Sequence, residues 1–414
     1  MLFNTKVFVF GFLPCALAGY LLLGQTDRRW PLAWVLACSG LFYGWWDPVF
    51  LALLLGSVLV NYRLGLVLQT TKSQQPWLVI GILANLSSIA FFKYAGFMAS
   101  IFGLPAPFGG IVLPLGISFF TFQQIMYLVD VKRGDVRRAT LLEYACFVCF
   151  FPHLIAGPIV RPREMLPQWQ AVLPSQAWHQ RVAEGLELFL LGLAKKIVLA
   201  DSLAGFANPG FAAAAEHAPL SLVEAWVALL AFSLQIYFDF SGYSDMAIGL
   251  ARMFGISFPM NFNSPYKART VREFWRRWNI TLGMFFRDYV YIPLGGSRRG
   301  WPRHAANLMT TMLLVGLWHG AAWRFVLWGG LHGIYLVAHS LWRRLGRPLP
   351  GTAAWAMTLL CVLFAWIPFR AKNVGACEDL LAGLVGMHGF NLPQYVIDAL
   401  PWLDTIAHGV AVLP

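Results

Sequence analysis

Apolar runs long enough to approach the width of a bilayer recur from one end of this 414-residue chain to the other, with little charge between them. They fall at roughly 6–24, 31–46, 48–68, 77–102, 111–130, 141–160, 183–200, 221–254, 305–321, 323–342 and 352–369. A helix needs about 20 mostly apolar residues to cross the hydrocarbon core. Inside lipid the backbone must satisfy its own hydrogen bonds, so runs of this kind fold as helices. The reading is an all-α polytopic membrane protein, one integral domain over 1–414, with about 10–11 membrane elements. Only 12% of residues are charged, against about 25% in soluble domains.

Several runs are punctuated. Pro114, Gly116, Pro152, Gly157 and Pro158 sit where unbroken helix is expected. Broken helices at membrane depth survive only where protein or a cavity covers the freed backbone groups. A compact bundle with an interior cavity is therefore expected, with residues 279–293 as a further, partly buried helix. The Ala-rich segment 202–221 reads as a loop or a short surface helix.

The net charge of +12 would suggest nucleic acid in a soluble protein. In a membrane protein it reflects basic residues held in cytoplasmic loops. Arg28/Arg29, Lys132/Arg133/Arg137/Arg138, Arg161/Arg163, the 267–303 block and Arg343/Arg344/Arg347 are assigned to that side. The first cluster follows the first span, so the N-terminus is expected outside. The early apolar run continues past Ala18 to Leu23 and reads as a retained span rather than a cleaved leader. Cys146 and Cys149 form a CxxC with no second pair, within a greasy run, and read as buried small hydrophobes. Phosphate loops, dinucleotide fingerprints, zinc-ligand spacings and nucleophile elbows are absent from the sequence. No metal site and no resident cofactor is expected.

Ionisable groups inside spans are costly and are functional candidates by default. His319 ends an apolar run between Gly316 and Gly320, and Trp318, Trp323 and Trp328 lie nearby in sequence. An imidazole there can act as a general base near neutral pH, and the glycines would let another group approach it. His332 lies in a similar glycine-flanked setting and reads as a supporting residue. Asp239 and Asp245 lie among Tyr237, Ser241, Tyr243 and Ser244. They either shape a polar pocket or pair with nearby arginines to hold the bundle, the second being the favoured reading.

The basic block carries a spacing of its own. Arg269, Arg272, Arg276, Asn279, Gly283 and Arg287 step by three or four, as along one helical face. Glu273 and Arg277 make an i,i+4 pair beside it. Forked guanidinium donors suit phosphate, so Arg272, Arg276 and Arg277, with Trp275 and Trp278, are candidates to bind a nucleotide-like donor. A headgroup-layer helix gripping anionic lipid fits the same residues.

Long motifs in order along the chain resemble the membrane-bound O-acyltransferase (MBOAT) superfamily, in its bacterial branch. They include FYGWWDP at 42–48, LPLGISFFTFQQIMYLVDV at 113–131, FPHLIAGPIVRP at 151–162, IYFDFSGYSDMAIGLARMFGI at 236–256, RDYVYIPLGG at 287–296, LVGLWHGAAWRFVLWGGLHG at 314–333 and WIPFRAKN at 366–373. The resemblance implies shorter broken helices around a central tunnel. It implies transfer of an acyl group from a cytoplasmic thioester, acetyl-CoA, to a hydroxyl acceptor. The family's catalytic histidine falls on His319. Its second motif position, usually His in this branch, is Asn279 here. Asn orients by hydrogen bonding and cannot be a base at neutral pH. The resemblance further implies residence in the bacterial inner membrane, exopolysaccharide machinery, and a periplasmic SGNH-hydrolase-like partner as the immediate acceptor. Alginate, cellulose and peptidoglycan are the polymers it allows. The rival readings are D-alanyl or other acyl transfer by the same fold, and an export subunit without chemistry. The branch also leads us to expect more sequence after 366–390, and hence a short or truncated C-terminus.

Overall fold

The computed structural model describes the chain except for residues 106–109, 137, 172–176, 347–348, 391, 394–397, 399–411 and 414. Arg137 and Arg347 of the basic clusters lie outside the described residues. The elements are helices, apart from one two-residue parallel pairing of Leu392–Pro393 with Val412–Leu413 among the described residues. The chain divides into two units. The first comprises Met1–Ala194, Ser241–Asn261 and Asn279–Phe285. The second comprises Lys195–Phe240, Phe262–Trp278 and Phe286–Pro414.

Among the described residues, four stretches are long and apolar enough to cross a membrane: Pro48–Thr70, Gln74–Ile101, Leu222–Met253 and Gly351–Arg370. Gly300–His319 and Trp323–Arg344 are long enough but less apolar; several other expected spans are shorter or interrupted, and proline and glycine account for some of the breaks. The 111–130 run starts its helix only at Ile117, after a left-handed Gly116 at φ 72°. The 141–160 run divides into Leu141–Cys149 and the one-turn Phe151–Leu154 at Pro152. Of the two alternatives for 202–221, the helix is the one present. Asp201–Ala215 is a full helix continuing a π-helical turn at Lys195–Ala200, because its alanines favour helix.

In the first unit, helix starts follow local chemistry. Asp47 accepts from the Val49 N–H at 2.8 Å, with Pro48 at the first helical position. Thr140 and Glu143 close a capping box. The core is aromatic: Phe3, Phe8, Phe12, Phe42 and Phe151 meet in stacked, tilted and edge-on pairs. The buried amides of Asn61, Asn85 and Gln124 bond one another, which satisfies polar groups that lipid cannot. Cys146 and Cys149 are buried in this unit.

In the second unit, Gly300–His319 and Trp323–Arg344 run antiparallel. Gly316 and Gly329 bring their backbones together: a Cβ on Gly316 would lie 2.2 Å from the Phe325 carbonyl oxygen, and one on Gly329 would lie 2.4 Å from that of Met312. Gly351–Arg370 adds Trp366 and Phe369 to the aromatic layer beside this pair.

Candidate active site

His319 is the last residue of the Gly300–His319 helix, and Gly320 after it is extended at φ −175°. The imidazole sits among rings. Trp318 is 4.8 Å away by centroid, Trp328 4.9 Å and Phe369 5.1 Å, all three edge-on. Phe325 lies at 6.4 Å. Phe369 was not singled out in the sequence, although it belongs to the WIPFRAKN motif. Trp323 is 61% exposed. The glycines flanking His319 serve a different purpose from the one expected. Gly316 admits the partner helix, and a Cβ on Gly320 would lie 2.2 Å from the Phe325 ring.

His332, two to three turns further along the second helix, is fully buried. Its Nδ1 accepts from the indole N–H of Trp275 at 3.3 Å. Trp328 links the two histidines, with its ring 4.8 Å from His332. Trp278 is 3% exposed. It stacks on Phe274 at 5.5 Å and contacts Trp366 at 5.0 Å. Trp278 is thus a core residue of the aromatic layer, while Trp275 is half-buried against His332.

The continuous arginine face does not form. The helix Val271–Arg277 stops at Trp278, which is extended at φ −104°, ψ 126°. Asn279 then turns left-handed at φ 41°, a region that Asn tolerates better than most residues. A new helix starts at Ile280. Arg269 precedes the first of these helices and Asn279 to Arg287 follow it, so the spacing of three and four does not translate into one face. Arg272 and Arg276 remain one turn apart and exposed on the short helix. Arg277 is committed to Glu273 at 2.7 Å, as expected, and reaches the Asn263 carbonyl at 3.4 Å.

Asn279 belongs to the first unit, whereas His319, His332, Trp318, Trp275, Trp278 and the arginines belong to the second. Asn279 is 3% exposed. Its turn is held by Asn261, whose backbone carbonyl accepts from Ile280 at 2.9 Å and whose side-chain oxygen accepts from the Thr281 N–H and hydroxyl at 3.1 and 2.9 Å. Thr281 in turn accepts from the Ile159 N–H at 2.9 Å. Asp239 is elsewhere in the second unit. It pairs with Lys196 at 2.7 Å, which also holds Asp201 at 2.8 Å. The expected pairing is therefore present, with a lysine in place of an arginine.

A cluster of arginines and histidines missed by sequence reasoning gathers in the second unit. Arg272 and Arg344 both act electrostatically on His304, and Arg272 and Arg343 on His339. His304 bonds the Tyr291 hydroxyl at 2.8 Å and the Ser340 hydroxyl at 3.1 Å. Arg344 lies over the Trp301 ring at 4.5 Å. The signal was present as basic residues at 272, 304, 339 and 343–344, but their convergence is tertiary.

Glu273 anchors the short helix. Thr270 accepts from the Glu273 N–H at 3.0 Å, and the Glu273 carboxylate accepts from Arg269 N–H at 2.8 Å. That backbone N–H first, and then Arg277, hold its carboxyl below the usual range. A depressed folded pKa contributes stability above the unfolded value near 4.3, and the contribution is lost as pH falls through the folded value. Hydrogen exchange across 264–278, corrected for intrinsic rates, is expected to quicken in that acid window. Glu273→Gln should flatten the pH dependence.

The model for "MBOAT, membrane-bound O-acyltransferase family" matches residues 75–374. The chain is 40% identical to the peptidoglycan O-acetyltransferase of Helicobacter pylori, over 98% of this chain and 84% of that one. The chain belongs to the MBOAT family. It is an O-acyltransferase, multi-pass in a membrane. It is also 41% identical to the probable alginate O-acetylase AlgI of Pseudomonas aeruginosa, over 90% of this chain and 73% of that one. A more distant relative is the teichoic acid D-alanyltransferase of Streptococcus thermophilus, 28% identical over 56% of this chain and 57% of that one.

Proposed function

We propose that this protein takes acetyl from cytoplasmic acetyl-CoA and delivers it through a central tunnel across the bacterial inner membrane, for O-acetylation of an exopolysaccharide of the alginate or cellulose type, or of peptidoglycan. The observation that carries the reading is the His319 imidazole, set at a helix end in a box of aromatic rings. An imidazole so placed is suited to receive a proton and return it. In this reading the acceptor is a hydroxyl, the immediate one belonging to a periplasmic SGNH-hydrolase-like partner. Its oxygen attacks the thioester carbonyl while His319 takes its proton. The resemblance alone makes Asn279 the second catalytic residue, one that orients by hydrogen bonding and is not a base. The N-terminus is placed outside, with the basic loops on the donor side.

The donor phosphates are assigned to Arg272 together with Arg343, Arg344, His304 and His339, rather than to one helical face. The expected result is that Arg272→Ala or Arg344→Ala raises the apparent KM for acetyl-CoA about 10- to 100-fold, since hydrogen bonds to charged groups contribute about 1.5–3 kcal/mol. An unchanged KM would remove that residue from the donor site. The D-alanyl reading is favoured only by the teichoic acid relative. Offering labelled acetyl-CoA and a labelled D-alanyl carrier protein in parallel separates the two, and label transferred only from the carrier would reverse the assignment.

A further inference from the structure

Trp328, against His319, and His332, against Trp328, carry buried N–H groups with nothing to donate to. Trp328 is 1% exposed and His332 is fully buried. Trp275 donates to Nδ1 of His332 at 3.3 Å. An imidazole that accepts at Nδ1 carries its proton on Nε2, so the bond fixes the tautomer. Among the described residues, neither Nε2 of His332 nor Nε1 of Trp328 has a partner. The two rings are 4.8 Å apart, and Trp328 is 4.9 Å from His319.

Unsatisfied buried donors cost free energy in the resting protein. One on its own is a packing defect. Two on touching rings, one of them with its tautomer fixed by a third residue and the other packed against the base, call for an acceptor that arrives with the substrate. We propose that the Nε2–H of His332 and the Nε1–H of Trp328 form an oxyanion site for the carbonyl oxygen of the acyl group.

The assignment rests on the acyl-transfer reading and deepens it. As the hydroxyl oxygen bonds to the acyl carbon, the C=O π pair moves onto the carbonyl oxygen, and the hydroxyl proton passes to His319. When the C–S bond breaks, that pair returns to re-form C=O, and the departing thiolate takes the proton from His319. His332 and Trp328 donate hydrogen bonds throughout and lose no proton. Neutral donors suit membrane depth, because they stabilise transient negative charge without burying a permanent positive one.

The test keeps the shape and removes the donor. 3-Benzothienylalanine at position 328 replaces the indole N–H with sulfur in the same bicyclic frame. 3-(4-Thiazolyl)alanine at position 332 is the second variant: it keeps the Nδ1 acceptor and replaces Nε2–H with sulfur, and melting temperatures are measured alongside. Removing one oxyanion donor is expected to lower kcat by about 10²–10³. The apparent KM for acetyl-CoA should be unchanged, and the benzothienyl protein should melt no lower than wild type. An unchanged kcat in the benzothienyl protein overturns the proposal, as does a loss of rate that tracks a loss of melting temperature. Failure of the underlying reading has a separate signature: wild type itself does not transfer acetyl, or His319→Ala transfers as well as wild type. Either result removes the oxyanion site with it.

Discussion

Replacing His319 with alanine is expected to lower acyl transfer by about 10²–10⁴, the contribution of a positioned general base. The fold should remain. His319 ends its helix, and the residue after it is already extended, so truncation there interrupts no helical turn. The lost contacts are ring edges against Trp318, Trp328 and Phe369, worth about 0.5–1.5 kcal/mol per aromatic pair. A His319→Gln variant keeps hydrogen-bonding capacity near the site but cannot take a proton at neutral pH. It should be as slow as the alanine variant at matched expression and melting temperature. Transfer by His319→Gln at the wild-type rate would show that the imidazole orients rather than accepts.

The second large effect is on stability. At Gly329 a methyl group would meet the Met312 carbonyl oxygen at 2.4 Å and the Gly316 Cα at 3.2 Å. Both obstacles are backbone in a neighbouring helix, so no side chain can swing aside. Overpacking of this kind costs about 1–3 kcal/mol and sometimes more, and Gly329→Ala should fall at the upper end. Its neighbour is the control. At Gly330 the nearest atom to an added Cβ is the Leu313 Cδ2 at 3.9 Å, an ordinary contact. Gly330→Ala removes a helix-interior glycine and should be neutral or stabilising by up to about 1 kcal/mol. Thermal unfolding in detergent or nanodiscs should therefore separate two adjacent Gly→Ala changes by several degrees. The same helix crossing brings Trp328 to His319, so Gly329→Ala is expected to reduce transfer as well.

Legibility of the sequence followed the range of the forces involved. Apolar runs report burial directly, and the helical class was readable from end to end. The interruptions at Gly116 and Pro152 were readable too, because they are local. The arginine face was misread because spacing alone does not reveal a stop. Trp278 turns extended and Asn279 left-handed, fixed by Asn261 eighteen residues upstream. The same limit hid the cluster of Arg272 with His304, His339, Arg343 and Arg344. At His319 the flanking glycines were visible but their use was not. They admit a helix and a phenylalanine ring, and Phe369 arrives from a different helix.

The most direct measurement is the fate of labelled acetyl supplied as acetyl-CoA to inside-out vesicles containing this protein and a candidate periplasmic partner. Label covalently attached to the partner or polymer inside the vesicles, with wild type and not with His319→Ala, is the expected result. Equal labelling by both would contradict the assignment of His319 as base, and no labelling by wild type would contradict acetyl-CoA as the donor.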